Sequence, residues 1–433
     1  MRPLEAIRHN AFWFIDFLKG SPVLKNYKDI KYLNQNYGDK RSIALREAYL
    51  KTLLKHVSST VPYYKNYEAT NSLQEFPVVN KVVIKKNYDA FTSTDNQFKI
   101  KHKVATSGST GTPFKLYQDS QKRYRNVADA IYFAEKAGVK IGMEVYFLRV
   151  WNEMNIKNPL LSWMQNVKMQ DISNFNTDEI SKFINQLSKN NYKKGIWSYA
   201  SSLDNIANYI KSGHTIPKCN LSSIVACSEY LNLETKKIIQ DHFKTAVISR
   251  YSNAENGIFA QQKPYGSDDF YLNWASYYFE ILKFDEDVPA AKGELGRVVI
   301  TDLFNYYMPI IRYDTGDVAC QDFNENQIPV FKSIEGRKLD LIYNTKGELI
   351  SSLTITGFMM KYIEVVQFQF IQEHQKKYTI KLNTTKSFND ENSLILDVKN
   401  VLGADSIIKI EYVEEVPLLD SGKRKIIINN YKA

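Results

Sequence analysis

A loop of small hydroxylated residues and glycines is the first candidate for chemistry, because its composition suits phosphate binding. It reads Thr106-Ser-Gly-Ser-Thr-Gly-Thr-Pro113, and its candidate ligand-binding residues are Thr106, Ser107, Gly108, Ser109, Thr110 and Gly111. Glycines allow a close approach of the backbone, and hydroxyl and N–H groups can donate hydrogen bonds to phosphate oxygens. The Gly-Lys-Ser/Thr ending of the common P-loop is absent. Taken alone, the segment also fits an ordinary turn before a proline.

A second polar segment follows a strand-like run that ends at Ser249. It reads Arg250-Tyr-Ser-Asn-Ala-Glu-Asn-Gly257 and contains the candidate residues Tyr251, Ser252, Asn253 and Glu255. The carboxylate of Glu255 has the hard oxygens that Mg²⁺ prefers. The flat ring of Tyr251 can stack on a nucleobase. An exposed turn is the structural alternative for this segment.

Three further segments place a charged residue directly after a glycine. Asp317 ends the run 310–317, and its carboxylate can accept hydrogen bonds from a ribose diol. Arg337 stands three residues before Asp340, and Lys423 lies in a loop near the end of the sequence. A β-turn between strands and a solvated basic tail are the alternatives for Asp317 and Lys423.

The composition is that of a globular protein with a full hydrophobic core. Of 433 residues, 44% are hydrophobic and 13% are aromatic, which excludes low-complexity, collagen-like and disordered classes. Three cysteines are too few for a disulfide scaffold and lack paired ligand spacing. We therefore expect a reduced, cytoplasmic protein without structural zinc. Neither a targeting signal nor a membrane-spanning run is visible in the sequence.

Nearly all of the net charge of +10 lies in the first quarter of the sequence. Residues 1–103 hold 18 Lys and Arg against 9 Asp and Glu, which leaves +9. Such a region can attract nucleic acid, anionic lipid or a phosphorylated substrate. Because the lysines are scattered and no nucleic-acid motif accompanies them, we expect no nucleic-acid partner. The apolar run Ala11–Leu18 is expected to pack against other elements, with weak peripheral membrane association as the alternative.

The pattern before residue 340 is typical of an α/β fold. Apolar residues at helical spacing predict an amphipathic helix over 41–57. Residues 145–150 and 223–227 are predicted as buried strands, and 178–187 and 203–211 as helices. The alternation of strands and helices favours a largely parallel sheet.

After residue 340 the pattern changes to that of a small α+β unit. Residues 364–371 and 378–382 are predicted to pair as a hairpin, followed by a helix over 390–402 and a strand over 407–413. About 90 residues are enough for an independent domain. We therefore expect two domains, residues 1–338 and residues 339–433.

Together and in this order, these segments resemble the motifs of the adenylate-forming superfamily of acyl-CoA synthetases, peptide-synthetase adenylation domains and luciferases. The resemblance spans about residues 40–433. Residues 106–113 resemble its phosphate loop, 251–255 its Tyr-Gly-x-x-Glu motif, and 312–317 its Tyr-Arg-Thr-Gly-Asp motif. Gly336-Arg337 with Asp340 resembles the hinge between the domains, and 421–423 the loop of the catalytic lysine. The resemblance implies a large adenylation domain with mixed and parallel sheets and a small, mobile C-terminal domain.

The resemblance also implies a reaction and roles for the residues. A carboxylate attacks the α-phosphate of ATP to give an acyl-adenylate and pyrophosphate, and an acceptor then takes the acyl group. The loop from Thr106 to Gly111 would hold the β- and γ-phosphates, Glu255 would hold Mg²⁺, and Lys423 would bridge the carboxylate and the α-phosphate. Tyr251 would pack on adenine, and Ser252 and Asn253 would be further ATP-binding residues. Asp317 and Arg337 would bind the ribose.

Within the superfamily the chain is similar to the phenylacetate–CoA ligase-like branch and its capsular-polysaccharide (CapK-like) members. The similarity lies in residues 12–20, 61–64 and 226–229. Four positions depart from the usual motifs: Thr112 stands where many relatives carry Lys, Ser252 replaces Gly, Asp314 replaces Arg, and Leu339 replaces a hinge Asp.

The sequence indicates the nucleotide more specifically than it indicates the acid and the acceptor. The acyl pocket is expected to draw on Trp197, Tyr199, Ser228 and Glu229, whose polar groups favour a small or polar acid, including a sugar-linked one. Core packing is the alternative for the two aromatic residues. Coenzyme A is the default acceptor of the branch, and an amine is the rival, in an amide-forming ligase acting on a sugar uronate or an amino acid. A non-enzymatic alternative also stays open: the chain could be a non-catalytic nucleotide-binding partner of a polysaccharide biosynthesis complex.

Overall fold

The computed structural model describes residues 2–67, 72–105, 114–151, 156–337, 341–350, 352–359, 361–362, 364–384, 388–417 and 425–431. Three predicted segments lie outside these ranges. They are the phosphate loop with Thr106, Ser107, Gly108, Ser109, Thr110 and Gly111, the hinge position Asp340, and the loop with Lys423.

Helices and strands alternate strictly over residues 115–253, as expected for an α/β fold. The helices are α1 (Pro3–Leu18), α2 (Pro22–Gln35), α3 (Lys40–Thr60), α4 (Lys81–Lys86), α5 (Ser120–Lys136), α6 (Pro159–Gln165), α7 (Thr177–Ser188), α8 (Ala200–Lys211), α9 (Leu233–Phe243), α10 (Ser352–Met359) and α11 (Glu391–Leu402). Short 3₁₀ turns cover Pro62–Tyr67, Leu73–Glu75 and Tyr88–Phe91. The predicted helices over 41–57, 178–187, 203–211 and 390–402 are thereby confirmed.

The strands fall into one large sheet and three smaller ones. They are β1 (Lys101–Ala105), β2 (Lys115–Asp119), β3 (Glu144–Arg149), β4 (Val167–Asp171), β5 (Lys194–Tyr199), β6 (Leu221–Cys227), β7 (Val247–Asn253), β8 (Gly257–Gln262), β9 (Phe270–Leu272), β10 (Tyr277–Leu282), β11 (Leu295–Asp302), β12 (Tyr313–Phe323), β13 (Pro329–Arg337), β14 (Ile342–Tyr343), β15 (Leu349–Ile350), β16 (Val365–His374), β17 (Lys377–Thr384), β18 (Ile407–Tyr412) and β19 (Ile427–Asn429).

The large sheet is parallel in one half and antiparallel in the other. Its strand order is β10-β11-β12-β13-β9-β8-β7-β6-β5-β3-β4. The neighbours from β7 to β4 pair in parallel, whereas those from β10 to β7 pair antiparallel. The expectation of a largely parallel sheet therefore holds only for the half that alternates with helices. The other half consists of strands β7 to β13, which follow one another without an intervening helix and pair antiparallel.

Two hydrophobic cores support the two halves of this sheet. In the parallel half, α7, α8 and α9 pack on strands whose buried residues include Ile196 and Ile224. In the antiparallel half, residues of α3 and the following 3₁₀ turns pack on strands around Phe279 and Ile300. Strands covered by helices bury apolar residues almost continuously, as β6 does over Ser223–Ala226.

The C-terminal residues form a separate sheet with its own core. Its strand order is β18-β17-β16-β19, and β16 and β17 pair as the predicted hairpin. The helices α10 and α11 cover it through buried residues such as Ile355 and Leu394. The proposed domain boundary after residue 338 falls on residues outside the described ranges and stays a prediction.

The helix α1 departs from the expected packing of its apolar residues. Phe12 and Trp13 pack on a core formed with α2 and α5, but Phe14, Phe17 and Leu18 are exposed. The expectation that the run 11–18 packs against other elements is therefore wrong for its most apolar positions. Among the helices of the described ranges, none combines the length and the hydropathy of a membrane-spanning segment.

Candidate nucleotide and acyl site

The segment with Tyr251 and Glu255 lies at the carboxyl end of the parallel strands. Strand β7 runs parallel to β6 and ends at Asn253, and the turn containing Glu255 leads back into the antiparallel strand β8. Ligands of α/β sheets bind beyond the carboxyl ends of parallel strands. The topology therefore places this segment at an edge suited to a ligand.

A direct hydrogen bond connects the second and third sequence motifs. The hydroxyl of Tyr251 donates to Asp317 Oδ2 at 2.7 Å and lies 3.3 Å from Thr315 Oγ1. Three strands stand between β7 and β12 in the sheet, so the contact requires the sheet to curl, as strongly twisted sheets do. Burial and the negative charge of Asp317 raise the pKa of Tyr251 well above its usual value. Tyr251 is therefore a hydrogen-bond donor throughout the physiological range.

Glu255 is buried and forms an ion pair that the sequence did not indicate. Its Oε1 lies 2.6 Å from Lys81 Nζ and accepts a weak hydrogen bond from the Tyr313 hydroxyl at 3.4 Å. Lys81 is only half-buried, and its ammonium also lies 5.8 Å from the ring centroid of Phe114, the first described residue after the predicted phosphate loop. Lys81 thus pairs with the predicted metal ligand and lies near Phe114.

The position of Lys81 follows from its local structure. Asn80 Oδ1 accepts hydrogen bonds from the N–H groups of Val82 and Val83, which caps the helix α4. Val79 forms an isolated parallel bridge with Tyr313. These contacts anchor the start of α4 beside β12. In the sequence, Lys81 is one of many scattered lysines, and nothing local distinguishes it.

Buried polar residues hold the turn that contains Glu255. Lys122 Nζ lies 2.6 Å from Asp302 Oδ2 and donates to the Tyr277 hydroxyl at 3.1 Å. The Tyr277 hydroxyl in turn donates to the backbone oxygen of Asn256 at 2.6 Å. Lys122 and Asp302 are both buried. Because each buried charge has a partner, the network can fix the turn without leaving an uncompensated ion.

Asn253 and Ser252 have mainly local partners in the described residues. Asn253 Oδ1 accepts a hydrogen bond from the N–H of Asn256 at 2.8 Å, and its Nδ2 donates to Asn256 Oδ1 at 3.2 Å. Ser252 pairs with Ile258 next to a register shift between β7 and β8. Asn253 therefore shapes the turn that carries Glu255.

Magnesium is the metal that the family resemblance implies. Within the described ranges, no group of three or more His, Cys, Asp and Glu residues could hold a metal ion. Mg²⁺ commonly binds through one or two carboxylates together with substrate phosphates and water. The single buried carboxylate of Glu255 fits such a site only if phosphate oxygens supply further ligands. An all-protein Mg²⁺ site is not formed by the described residues.

Arg337 lies directly opposite Asp317 in the register of β12 and β13. Its backbone is therefore close to Asp317, while its side chain lies outside the described part of the structure. Of the residues predicted to bind the nucleotide, the structure thus brings together Tyr251, Glu255 and Asp317, with Arg337 beside them in the sheet.

The four residues predicted for the acyl pocket occupy two places. Tyr199, Ser228 and Glu229 lie at the carboxyl ends of β5 and β6, where Glu229 Oε2 accepts a hydrogen bond from the N–H of Ser201 at 2.9 Å. Trp197 packs instead on residues of the opposite face of the sheet, whereas Tyr199 belongs to the core under α7 and α8. The structure does not bring the two aromatic side chains onto one face.

Two arginines at the same edge were not predicted. The guanidinium of Arg250 lies 5.5 Å from the ring centroid of Trp197, and that of Arg149 lies 5.2 Å from the ring of Trp151. One buried nitrogen of each, Arg250 Nη2 and Arg149 Nε, has no hydrogen-bond partner among the residues that the structure describes. Burial lowers the pKa of Arg250 to about 10, which leaves it charged at neutral pH. Buried donors of this kind are suited to an anionic ligand group.

Residues 342–430 match the family model described as the CapK C-terminal domain. This part of the chain is therefore similar to the C-terminal domain of CapK proteins. Over 380 residues the chain is 23% identical to Protein CapK of Staphylococcus aureus, and the match covers 83% of this chain and 81% of that protein. The resemblance to the CapK-like members is thus confirmed by a second, longer match.

Solved structures show the same fold over about nine-tenths of the chain. A 2-hydroxyisobutyryl-CoA ligase in the postadenylation state, in complex with R3-HIB-AMP, superposes with a TM-score of 0.70 at 16% identity, covering 89% of each chain. The same ligase in the thioesterification state, with 2-HIB-AMP and CoA, gives a TM-score of 0.56 at 16% identity and covers 90% of each chain. The expected fold, that of an adenylate-forming ligase with a C-terminal domain, is confirmed.

Proposed function

We propose that the chain is an AMP-forming ligase that activates a carboxylic acid with ATP and transfers the acyl group to an acceptor. The observation that carries this proposal is the hydrogen bond between Tyr251 and Asp317, with Glu255 in the turn that follows β7 and Arg337 beside Asp317. Residues far apart in sequence thus share one edge of the sheet, in a fold that supports this chemistry in its structural neighbours.

In the proposed first step, a carboxylate oxygen of the acid forms a bond to the α-phosphorus of ATP while the bond to pyrophosphate breaks. Negative charge grows on the phosphoryl oxygens, so catalysis depends on positioning and on nearby cations. Asp317 would accept hydrogen bonds from the ribose hydroxyls, and Lys81 would face the phosphates beside Glu255. Mg²⁺ bound at Glu255 would neutralise phosphate charge. Lys423 would supply the cation between the acid and the α-phosphate.

In the second step, the acceptor attacks the acyl carbon, the bond between that carbon and the phosphate oxygen of the mixed anhydride breaks, AMP leaves with its electrons, and the acceptor loses its proton. A thiol is the first acceptor to test, because the 2-hydroxyisobutyryl-CoA ligase was solved with CoA. An amine is the second, because capsule assembly of the kind that the CapK-like resemblance implies needs amide bonds to sugar carboxylates.

The acid is proposed to carry a polar or anionic group besides the reacting carboxylate. Arg149 and Arg250 supply positive charge at the edge where Ser228 and Glu229 lie, and one buried nitrogen of each lacks a partner within the described ranges. A purely apolar acid would leave these donors unsatisfied, which costs about 1–3 kcal/mol for each group. A sugar uronate or another polar acid fits this edge better.

The test is a carboxylate-dependent ATP–pyrophosphate exchange assay with a panel of acids that includes uronic and amino acids. Exchange with at least one acid, followed by product formation with a thiol or an amine, would support the proposal. Lys423→Ala should abolish exchange and leave the fold intact, while Lys377→Ala, at the exposed turn of the β16–β17 hairpin, should retain it.

A chain that binds ATP but supports no exchange with any acid would instead be the non-catalytic nucleotide-binding partner. Equal exchange by wild type and Lys423→Ala would remove that lysine from the mechanism. Circular dichroism spectra of the same preparations show whether a protein that lacks exchange activity is still folded.

A further inference from the structure

The solvent-facing side of α1 is mostly apolar, with Asn10 as an exposed polar residue at the edge of the apolar row. Leu4, Ile7, Phe14 and Leu18 recur at helical spacing and are exposed by 47%, 62%, 61% and 67%. Ile15 and Phe17 flank this row and are also exposed. A surface helix of a globular protein normally turns such a stripe to the core. In α1 the stripe points outward.

The acidic residues of α1 point inward. Asp16 is buried, and its two carboxylate oxygens accept hydrogen bonds from the N–H groups of Val23 and Leu24, both at 2.9 Å. Glu5 is also buried and pairs with Arg2 at 2.8 Å. These contacts fix the rotation of α1, because turning the apolar stripe inward would expose the acids and break both sets of bonds. The outward orientation is therefore built into the packing.

A second apolar element continues this surface. The helix α6 exposes Leu160, Trp163 and Met164, and the guanidinium of Arg8 lies 5.0 Å from the ring of Trp163. Arg8 thus joins the two helices. Ten of the 23 large apolar side chains that are exposed among the described residues lie on α1 or within 156–164. Concentrations of this kind mark interaction sites rather than ordinary surface.

The charges around the surface are positive. Lys19 follows the stripe directly, and Lys25, Lys28 and Lys31 are exposed on α2, which packs against α1. The acid of α2, Asp29, is paired with Arg125 at 2.5 Å. Every acidic side chain of the first two helices is therefore buried or ion-paired, and the exposed charge is cationic.

We propose that α1 and α6 form a docking surface for an anionic lipid bilayer. Aromatic and aliphatic side chains would enter the interface between headgroups and acyl chains, and the lysines would contact the lipid phosphates. A protein interface normally carries a polar rim with charges of both signs. The uninterrupted apolar row and the cationic surroundings of α1 favour a lipid surface over a protein partner.

The test is sedimentation of the full chain with vesicles of phosphatidylcholine, with and without phosphatidylglycerol. Binding is expected with the anionic vesicles and should weaken as salt is added. Phe14→Ser combined with Phe17→Ser should lower the partition coefficient at least tenfold. The matched control is Leu396→Ser combined with Ile407→Ser, which alters two residues of similar exposure, 60% and 59%, on the C-terminal unit. The control should bind like the wild type.

Tryptophan fluorescence supplies a readout that needs no change in α1. Trp163 is 59% exposed, so anionic vesicles should shift the emission to shorter wavelength, and Trp163→Phe should remove most of this shift. Three results would overturn the proposal. They are equal binding by the Phe14/Phe17 variant and the wild type, no binding to anionic vesicles, and a lipid-free dimer that the Phe14/Phe17 variant converts to a monomer. The last result would assign the surface to a second copy of the chain.

Discussion

The hydroxyl of Tyr251 donates a 2.7 Å hydrogen bond to Asp317, across three intervening strands of the same sheet. This bond orients one oxygen of the carboxylate, while Thr315 Oγ1 accepts a hydrogen bond from the N–H of Asp317 at 3.1 Å. Asp317 is thus held from both its backbone and its side chain. A carboxylate held in this way can present lone pairs to a diol without first losing rotational freedom.

Tyr251→Phe should therefore weaken ATP binding less than Asp317→Ala does. The tyrosine variant loses only orientation, and we expect KM for ATP to rise a few-fold. The aspartate variant loses the charged acceptor itself, and a rise of about 10- to 100-fold is expected from hydrogen bonds to a charged group. The measurement is KM for ATP in pyrophosphate exchange, with Tyr265→Phe, an exposed tyrosine, as the control. The opposite order of the two effects would contradict a supporting role for Tyr251.

Lys81 is predicted to contribute to phosphate binding, because its ammonium pairs with Glu255 and lies 5.8 Å from the ring centroid of Phe114, the residue that follows the predicted phosphate loop in the sequence. Thr112 occupies a position at which many relatives have Lys in that loop, so Lys81 would supply a positive charge from a different element. Lys81→Met should raise KM for ATP about tenfold, the effect of one lost charge-assisted contact. Lys86→Met, on the exposed side of the same helix, is the matched control.

The dependence on Mg²⁺ separates Lys81 from Glu255. Glu255→Gln should raise the Mg²⁺ concentration that gives half-maximal exchange, because a neutral amide is a weaker ligand than a carboxylate. Lys81→Met should leave that concentration unchanged or lower it, since it removes a cation that competes for Glu255. If both variants raised it equally, the ion pair would serve only to hold Glu255 in place.

Arg250 is predicted to select the acid. Its guanidinium packs over Trp197, and its Nε donates a hydrogen bond to Gln261 Oε1 at 2.8 Å. Because Gln261 is neutral, this contact does not neutralise the charge of Arg250. Arg250→Gln should lower kcat/KM about tenfold for acids with a second anionic group and leave small neutral acids nearly unaffected. Arg123→Gln, on the exposed side of α5, should change neither value. Equal losses for all acids would show that Arg250 acts only in packing.

The sequence predicted those parts of the structure that depend on local signals. Glycines, hydroxylated residues and acids at short spacing marked the segments with Tyr251 and Asp317, and apolar periodicity located most helices and strands. Lys81 and Arg250 could not be predicted in the same way. The bridge between Val79 and Tyr313 joins segments more than 200 residues apart and places Lys81 beside β12. The curl of the sheet brings β12 close to the turn with Glu255, so that Lys81 can pair with this carboxylate.

The orientation of α1 could not be predicted for a related reason. Amphipathic spacing shows which residues share a face, but not whether that face meets the core or the solvent. The deciding contacts are those of Asp16 with the N–H groups of Val23 and Leu24, which depend on the tight turn between α1 and α2. Similarly, the antiparallel half of the sheet could not be predicted, because the pairing of strands such as β11, β12 and β13 is not encoded within any one segment.

Asp129 gives a prediction about stability. It is buried on α5, where Oδ1 accepts hydrogen bonds from Asn273 and Ser276, while Oδ2 has no partner in the described part of the chain. Burial raises the pKa of this carboxyl from 3.8 to about 6, although Arg125 and Lys122 act in the opposite direction. Between these two values the folded chain keeps a proton that the unfolded chain has released. The contribution of Asp129 to the free energy of unfolding therefore falls as pH rises from about 4 to 6.

Asp129→Asn removes this titration and keeps an oxygen that can accept both hydrogen bonds. Relative to the wild type, the variant should gain about 3 kcal/mol in free energy of unfolding between pH 4 and pH 7, since each pKa unit corresponds to about 1.4 kcal/mol. The measurement is urea unfolding of both proteins across this range. Asp241→Asn, at an exposed position of α9, controls for the loss of one negative charge and should run parallel to the wild type. If Asp129→Asn also ran parallel to the wild type, Asp129 would be ionised in the folded protein throughout, and its unpartnered oxygen would have to be compensated by Arg125 and Lys122.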